Sequence, residues 1–179
     1  PGSMSGWDEI RVSEMMYDEF LKEGRIAEDN MYDARAYGSM MFDDPYYREG
    51  GHILGYNYDD VYSESSATSY NYRKYLPATW TDYAQNYVGT NMPLMRYANV
   101  MLMQAEVYNE QKHPEKAIPL INDVRRIHGK LPAMTGSDYA AVKAQIEHER
   151  LVEFTLENSR FYDLRRWGKL DDAMRSAGR

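Results

Sequence analysis

Apolar residues follow two different regimes along this chain, and the change comes near residue 92. After it the spacing is helical. In "MPLMRYANVMLMQAEVYNEQK", Leu94, Tyr97, Ala98, Met101, Ala105 and Tyr108 follow one face at steps of three and four. Val100, Leu102, Met103 and Val107 occupy the other side, which predicts a largely buried helix. "HPEKAIPLINDVRRIHG" predicts a second helix, with Pro114 in the first turn, Ala117, Ile121 and Val124 on one stripe, and Gly129 as the stop. Pro119 lacks an amide donor, so this helix either starts late, near Lys116, or bends there. A third helix is expected from a Ser137 cap through "DYAAVKAQIEHERLVEFTLE".

Before residue 92 one helical stretch stands out, Ser13 to Lys22, where Met16, Phe20 and Leu21 share a face and Gly24 supplies the stop. From Tyr37 to Asn91, Gly, Asn, Asp, Ser and Pro interrupt any period of 3.6 or 2.0, predicting long loops with short strand or helix pieces. Ten tyrosines between Tyr46 and Tyr87 argue against disorder, and long loops in a folded domain usually carry function. The expected organisation is a tag remnant and lead-in over 1–12, in which Pro1-Gly2-Ser3-Met4 resembles an expression scar. A loop-rich aromatic segment over 13–91 follows as the candidate ligand-binding region, then a helical region over 92–179, all within a single structural unit. The first two helices after residue 92 approximate one tetratricopeptide unit, with Ala105, Tyr108, Ala117 and Ile121 at matching positions and Gln104 and Gly129 departing from it. One such unit needs neighbours to bury its faces.

The stripe of the third helix carries charge. Val142, Ile146, Glu149, Glu153, Leu156 and Arg160 recur at helical spacing, so two glutamates share a face with apolar residues. Unpaired buried carboxylates cost several kcal/mol, so a cation must lie close, and arginine fits because its planar fork stays charged when desolvated. Arg96, Arg125, Arg160 and Arg165 are the candidates for a structural ion-pair network with Glu149 and Glu153.

Composition narrows the function. The 179 residues, 43% hydrophobic, suit one domain or a large piece of one. A net charge of -7 argues against nucleic acid, whose phosphates require surplus Lys and Arg. No apolar run approaches a membrane span, and the absence of cysteine removes disulfides, thiolate catalysis and Cys-rich zinc sites. His52, His113, His128 and His148 are scattered, and Val152 stands where a zinc-binding helix would place a second histidine, so neither metal nor cofactor is expected. Asp43-Asp44 and Asp59-Asp60 are weighed as glycosidase acids, although adjacent aspartates in polar loops are more often solvated turn residues. The aromatic-rich loops suit a sugar, which presents apolar C–H faces and hydroxyl edges to flat rings with polar groups beside them. Trp80 with Tyr83 is the first candidate platform, and Tyr56, Asn57, Tyr58 and Asp59 the second. Three classes stay open on the residues alone: a glycan-binding module, a helical-repeat interaction scaffold and a glycoside hydrolase.

The helical segments carry a resemblance. "PLMRYANVMLMQAEVYNE", "AIPLINDVRRIHG" and "IEHERLVEFTLENSRFYDLRRWG" together resemble the C-terminal part of the SusD/RagB family of glycan-binding outer-membrane lipoproteins. Glu149, Arg150, Glu153, Glu157, Arg160, Phe161, Asp163, Leu164, Arg165, Arg166 and Trp167 match its signature, with weaker echoes in "DARAYGSMM" and "YRKY". Asn158 departs from it, standing where the family often has glycine. The expected N-terminal half, lipidated cysteine and proline- and asparagine-rich tail are not in these residues, which points to a fragment. The resemblance implies a mainly α fold, a tetratricopeptide-like helical framework carrying long irregular aromatic-rich loops. It implies non-catalytic capture of oligosaccharide at the cell surface of the outer membrane and delivery to a SusC-like TonB-dependent transporter. Attachment to the membrane would then be only through a lipid anchor absent from this chain.

Overall fold

The computed structural model describes residues 11–61, 70–76 and 91–176, and the protein is mainly α-helical. Two units divide the chain, Pro1–Met92 and Pro93–Arg179.

In the first unit, α1 (Glu14–Leu21) is capped by Ser13, whose hydroxyl accepts from the Met16 amide at 3.3 Å. Met16 and Phe20, four apart, are its buried residues. Helix α2 (Ala34–Ser39) is capped by Asp33, and β1 (Met40–Met41) follows directly. Asp44 caps the single turn α3 (Pro45–Arg48), with Pro45 in the first turn, and α4 (Tyr58–Val61) comes next. Strand β2 (Asn71–Tyr72) pairs antiparallel with β1, Met40 opposite Tyr72 and Met41 opposite Asn71. An aromatic cluster sits among the aliphatic residues of this core. Tyr37, Phe42, Tyr46 and Tyr47 meet tilted or edge-on at 4.9–6.0 Å, and the fully buried Tyr47 hydroxyl lies 2.6 Å from the Tyr37 carbonyl oxygen and 2.8 Å from that of Met40. Burial pushes its phenol pKa well above the ordinary value, so the hydroxyl stays a neutral donor.

In the second unit, α5 (Tyr97–Glu110) and α6 (Pro114–Val124) form an antiparallel hairpin against which α7 (Tyr139–Glu153) packs. Small and branched residues interleave at the centre: Ala98, Leu102 and Ala105 of α5, Ala117 and Ile121 of α6, Val142 and Ile146 of α7. A π-helical turn, Arg125–Gly129, continues α6 and ends on Lys130 in the left-handed region. Helices α8 (Ser159–Arg166) and α9 (Leu170–Ser176) follow.

Three local features depart from the periodic reading. Helix α5 starts only at Tyr97 and is half-buried: Tyr97, Val100, Met103 and Val107 are exposed, because its buried face is the one that meets α6 and α7. Pro119 neither delays nor stops α6, which begins at Pro114; the ring points to solvent and only one backbone donor is lost. Helix α7 is capped by Asp138, which accepts from the Ala140 and Ala141 amides at 2.9 Å, and it ends at Glu153. Leu156 and Asn158 take positive φ, so the expected stripe is cut before Leu156 and Arg160. Asparagine tolerates this left-handed geometry better than most residues, which accounts for Asn158 where glycine was expected.

Candidate functional site

Two constellations concentrate charge, one in each unit. In the helical unit, the π-helical turn carries Arg125 beneath α7, where its Nη1 donates to Glu149 Oε1 at 2.8 Å and its Nε to the Pro132 carbonyl at 3.0 Å. Both side chains are enclosed, at 2% and 0% exposure. Gln145 donates to the same Glu149 oxygen at 2.8 Å. Ahead of α5, Arg96 donates through Nη1 to Glu153 Oε1 at 2.7 Å and through Nη2 to Glu157 Oε1 at 2.8 Å, while His128 Nδ1 lies 2.8 Å from Glu153 Oε1. Glu149 and Glu153 thus meet Arg125 and Arg96. The other two arginines behave differently: the Arg160 guanidinium lies 6.0 Å from the Trp167 ring, and Arg165 is exposed with no side-chain partner among the described residues.

A second set of contacts was visible as signature residues but not as pairs. The Arg150 Nε donates to Asp163 Oδ2 at 2.9 Å and its Nη1 to Asn99 Oδ1 at 2.8 Å. From α8, Arg166 reaches Asp163 at 3.0 Å and Glu106 at 2.7 Å, and the Trp167 indole donates to Glu106 at 2.8 Å. Desolvation pushes the Glu106 carboxyl upward, but the Arg166 and Trp167 hydrogen bonds more than offset it, so its pKa lies below the ordinary 4.5. A depressed carboxylate stabilises the fold in full above its unfolded value and loses that contribution as pH falls through the folded one. The thermal midpoint should therefore hold near neutrality and decline below about pH 4.5, and Glu106→Gln should flatten that acid limb; melts between pH 3 and 7 check it. These pairs join helices.

In the first unit the loop between α3 and α4 builds a surface. Gly50 and Gly51 take positive φ, and a Cβ on Gly50 would lie 2.7 Å from His52 Nε2, so this backbone makes room for the imidazole. Asn57 Oδ1 accepts from the Gly51 amide at 2.9 Å, and the Asn57 amide donates to Asp60 at 2.8 Å, which folds the loop on itself. The exposed His52 ring stacks on Tyr46 with centroids 4.0 Å apart. Arg48 bridges two carboxylates: Nε and Nη2 donate to Asp43 at 2.6 and 2.7 Å, and Nη1 donates to both oxygens of Asp59 at 2.7 and 2.9 Å. The Arg48 hydrogen bonds hold the Asp43 carboxyl below the usual range.

Among the residues expected here, Tyr56 is exposed and Asp59 is the most solvent-facing of the row, its side chain 67% exposed. Asn57 is spent on the loop, and Tyr58 is buried, with the Arg48 guanidinium 5.6 Å from its ring. Trp80 and Tyr83 lie outside the described residues. Arg48 and Tyr46 were not singled out by sequence, and Asp43 and His52 were considered only as a hydrolase acid and a metal ligand; the Gly50-Gly51 pair after Arg48 was the available signal for a tight, constructed loop.

The SusD family model matches residues 1–178. SusD-like protein P38 of Formosa agariphila is 32% identical over 93 residues, which cover 48% of this chain and 18% of that protein. A SusD superfamily protein from Bacteroides vulgatus superposes with a TM-score of 0.84 at 28% identity, over 98% of this chain and 37% of the other. A SusD-like protein from Bacteroides fragilis gives a TM-score of 0.54 at 28% identity, over 79% and 28%. This chain therefore spans well under half the length of these relatives. No helix among the described residues is long and apolar enough to cross a membrane. The chain belongs to the SusD family, a family of glycan binding and nutrient uptake.

Proposed function

We propose that this SusD-family chain captures oligosaccharide at the bacterial cell surface without cleaving it, for delivery to a SusC-like TonB-dependent transporter of the outer membrane. The observation that carries the reading is the exposed ring of Tyr56 on the loop whose Asp59 is bound to Arg48, with Asp43 on the other side of that guanidinium. A flat ring takes the apolar face of a pyranose, and exposed carboxylates accept from its hydroxyl edge. Asn57 acts through the loop rather than on the sugar, and Tyr58 supports it from below. Trp80 and Tyr83 stay in the proposal as a further platform on sequence grounds. Asp43 is poorly suited to act as the general acid of a hydrolase: that role needs a raised pKa, and Arg48 moves it the other way.

Retention of soluble oligosaccharides, with product analysis alongside, tests this. Tyr56→Ala should weaken retention about tenfold, ~1.4 kcal/mol, with the thermal midpoint unchanged. Trp80→Ala should also weaken it. Release of shorter products over time would replace the binding reading with a hydrolase. An interaction scaffold is the second reading, favoured by the exposed apolar stripe of Tyr97, Val100, Met103 and Val107 on α5; it predicts protein capture and indifference to sugars.

A further inference from the structure

We propose that the Arg48 surface selects uncharged glycans and excludes acidic ones, the exposed carboxylates of Asp43 and Asp59 repelling uronate or sulfate groups. The inference rests on the reading of this surface as the sugar site and adds the class of sugar it takes.

Its basis is where the cations are spent. Acidic sugars are held by arginine or lysine with donors to spare. At this surface the guanidinium is Arg48, and its Nε, Nη1 and Nη2 all donate to Asp43 and Asp59 at 2.6–2.9 Å. An incoming carboxylate would have to displace one already seated in the fork. Of the two further bases nearby in sequence, Arg73 turns inward, its Nη1 donating to the Tyr37 carbonyl at 2.9 Å. The Lys74 ammonium lies 6.0 Å from the Tyr75 ring. In sequence, residues 13–91 carry fourteen Asp and Glu against six Lys and Arg, so the aromatic-rich segment is acidic as a whole. A neutral sugar meets no such obstacle. Each paired carboxylate oxygen keeps lone-pair capacity for a hydroxyl donor, and the Tyr56 ring is indifferent to charge on the far side of the sugar. Repulsion of the wrong ligand contributes to specificity as much as attraction of the right one.

The test compares maltohexaose, cellohexaose and laminarihexaose with the hexamers of galacturonic and mannuronic acid at neutral pH, on the full chain. At least one neutral hexamer should be retained about tenfold or more tightly than either uronate at low salt. Raising the salt to about 0.5 M, where the Debye length falls to a few ångströms, should shrink that gap, which a steric exclusion would not do. Asp59→Asn, preserving side-chain shape, should raise uronate retention while leaving the melting midpoint in place; Asp43→Asn serves as the second variant if the first does not fold. Uronates retained as tightly as the neutral hexamers, with Tyr56→Ala weakening both, would overturn the selectivity and leave the site standing. An unchanged uronate gap in both folded asparagine variants would overturn the assignment to these carboxylates. Retention of none of the five hexamers would overturn the site and the selectivity together.

Discussion

Arg125→Ala is expected to destabilise the helical unit by about 3–5 kcal/mol, because it removes the guanidinium paired with the fully enclosed Glu149 carboxylate. The two side chains are 2% and 0% exposed, and Gln145, which also donates to Glu149, carries no charge. The Pro132 carbonyl loses its donor as well, which loosens the segment leaving the π-helical turn. Urea unfolding followed by far-ultraviolet circular dichroism should show a lower midpoint. The decisive comparison is Arg125→Met with Glu149→Leu in one chain, since replacing both charges by apolar groups of similar volume should restore most of the loss. If the single and the double variant lose equally, the pair is not what holds α6 to α7. Arg165→Ala is the contrast on an exposed arginine without a side-chain partner among the described residues, and it should change stability by no more than about 0.5 kcal/mol.

These two arginines also mark how far the sequence could be read. That Glu149 and Glu153 lie on the buried face of α7 follows from spacing, because Val142 and Ile146 precede them at steps of three and four. Which arginines meet them does not, because pairing across helices depends on where α6 turns and how Arg96 enters α5. The break after Glu153 was hidden for a related reason. Phe154 to Glu157 keep a helical composition, and the interruption lies in backbone conformation at Leu156 and Asn158. The exposure of Val100 and Val107 was equally out of reach, since an apolar pattern reports what a helix offers and not what lies against it. In the first unit the composition of the loops suggested a surface for sugar, but tyrosine identity alone cannot separate Tyr56, which is exposed, from Tyr47 and Tyr58, which are core. That distinction depends on non-local partners, and without a period of 3.6 or 2.0 the chain gives no register from which to infer them.

Tyr47→Ala is expected to be the most damaging single change in the first unit, at about 3–5 kcal/mol, the usual range for removing a large buried aromatic ring. The ring is 0% exposed and contacts Tyr37, Phe42 and Tyr46, so the cavity would open at the centre of the aromatic cluster. The hydroxyl is bound to the carbonyl oxygens of Tyr37 and Met40, at the junction of α2 with the β1 strand. Its neighbours in the chain connect this core to the surface. Tyr46 carries the His52 ring, and Arg48 holds Asp43 and Asp59 together. Losing Tyr47 should therefore abolish oligosaccharide retention along with the folded signal of this unit, whereas Tyr56→Ala should weaken retention and leave the folded signal in place. Tyr47→Phe separates the two contributions of the residue: it keeps the ring packing and removes only the hydroxyl, so it should cost about 1–3 kcal/mol and retain sugar. Thermal melts and oligosaccharide retention measured on the same three preparations check this. If Tyr47→Ala melted normally yet no longer retained sugar, Tyr47 would belong to the binding surface and not to the core beneath it.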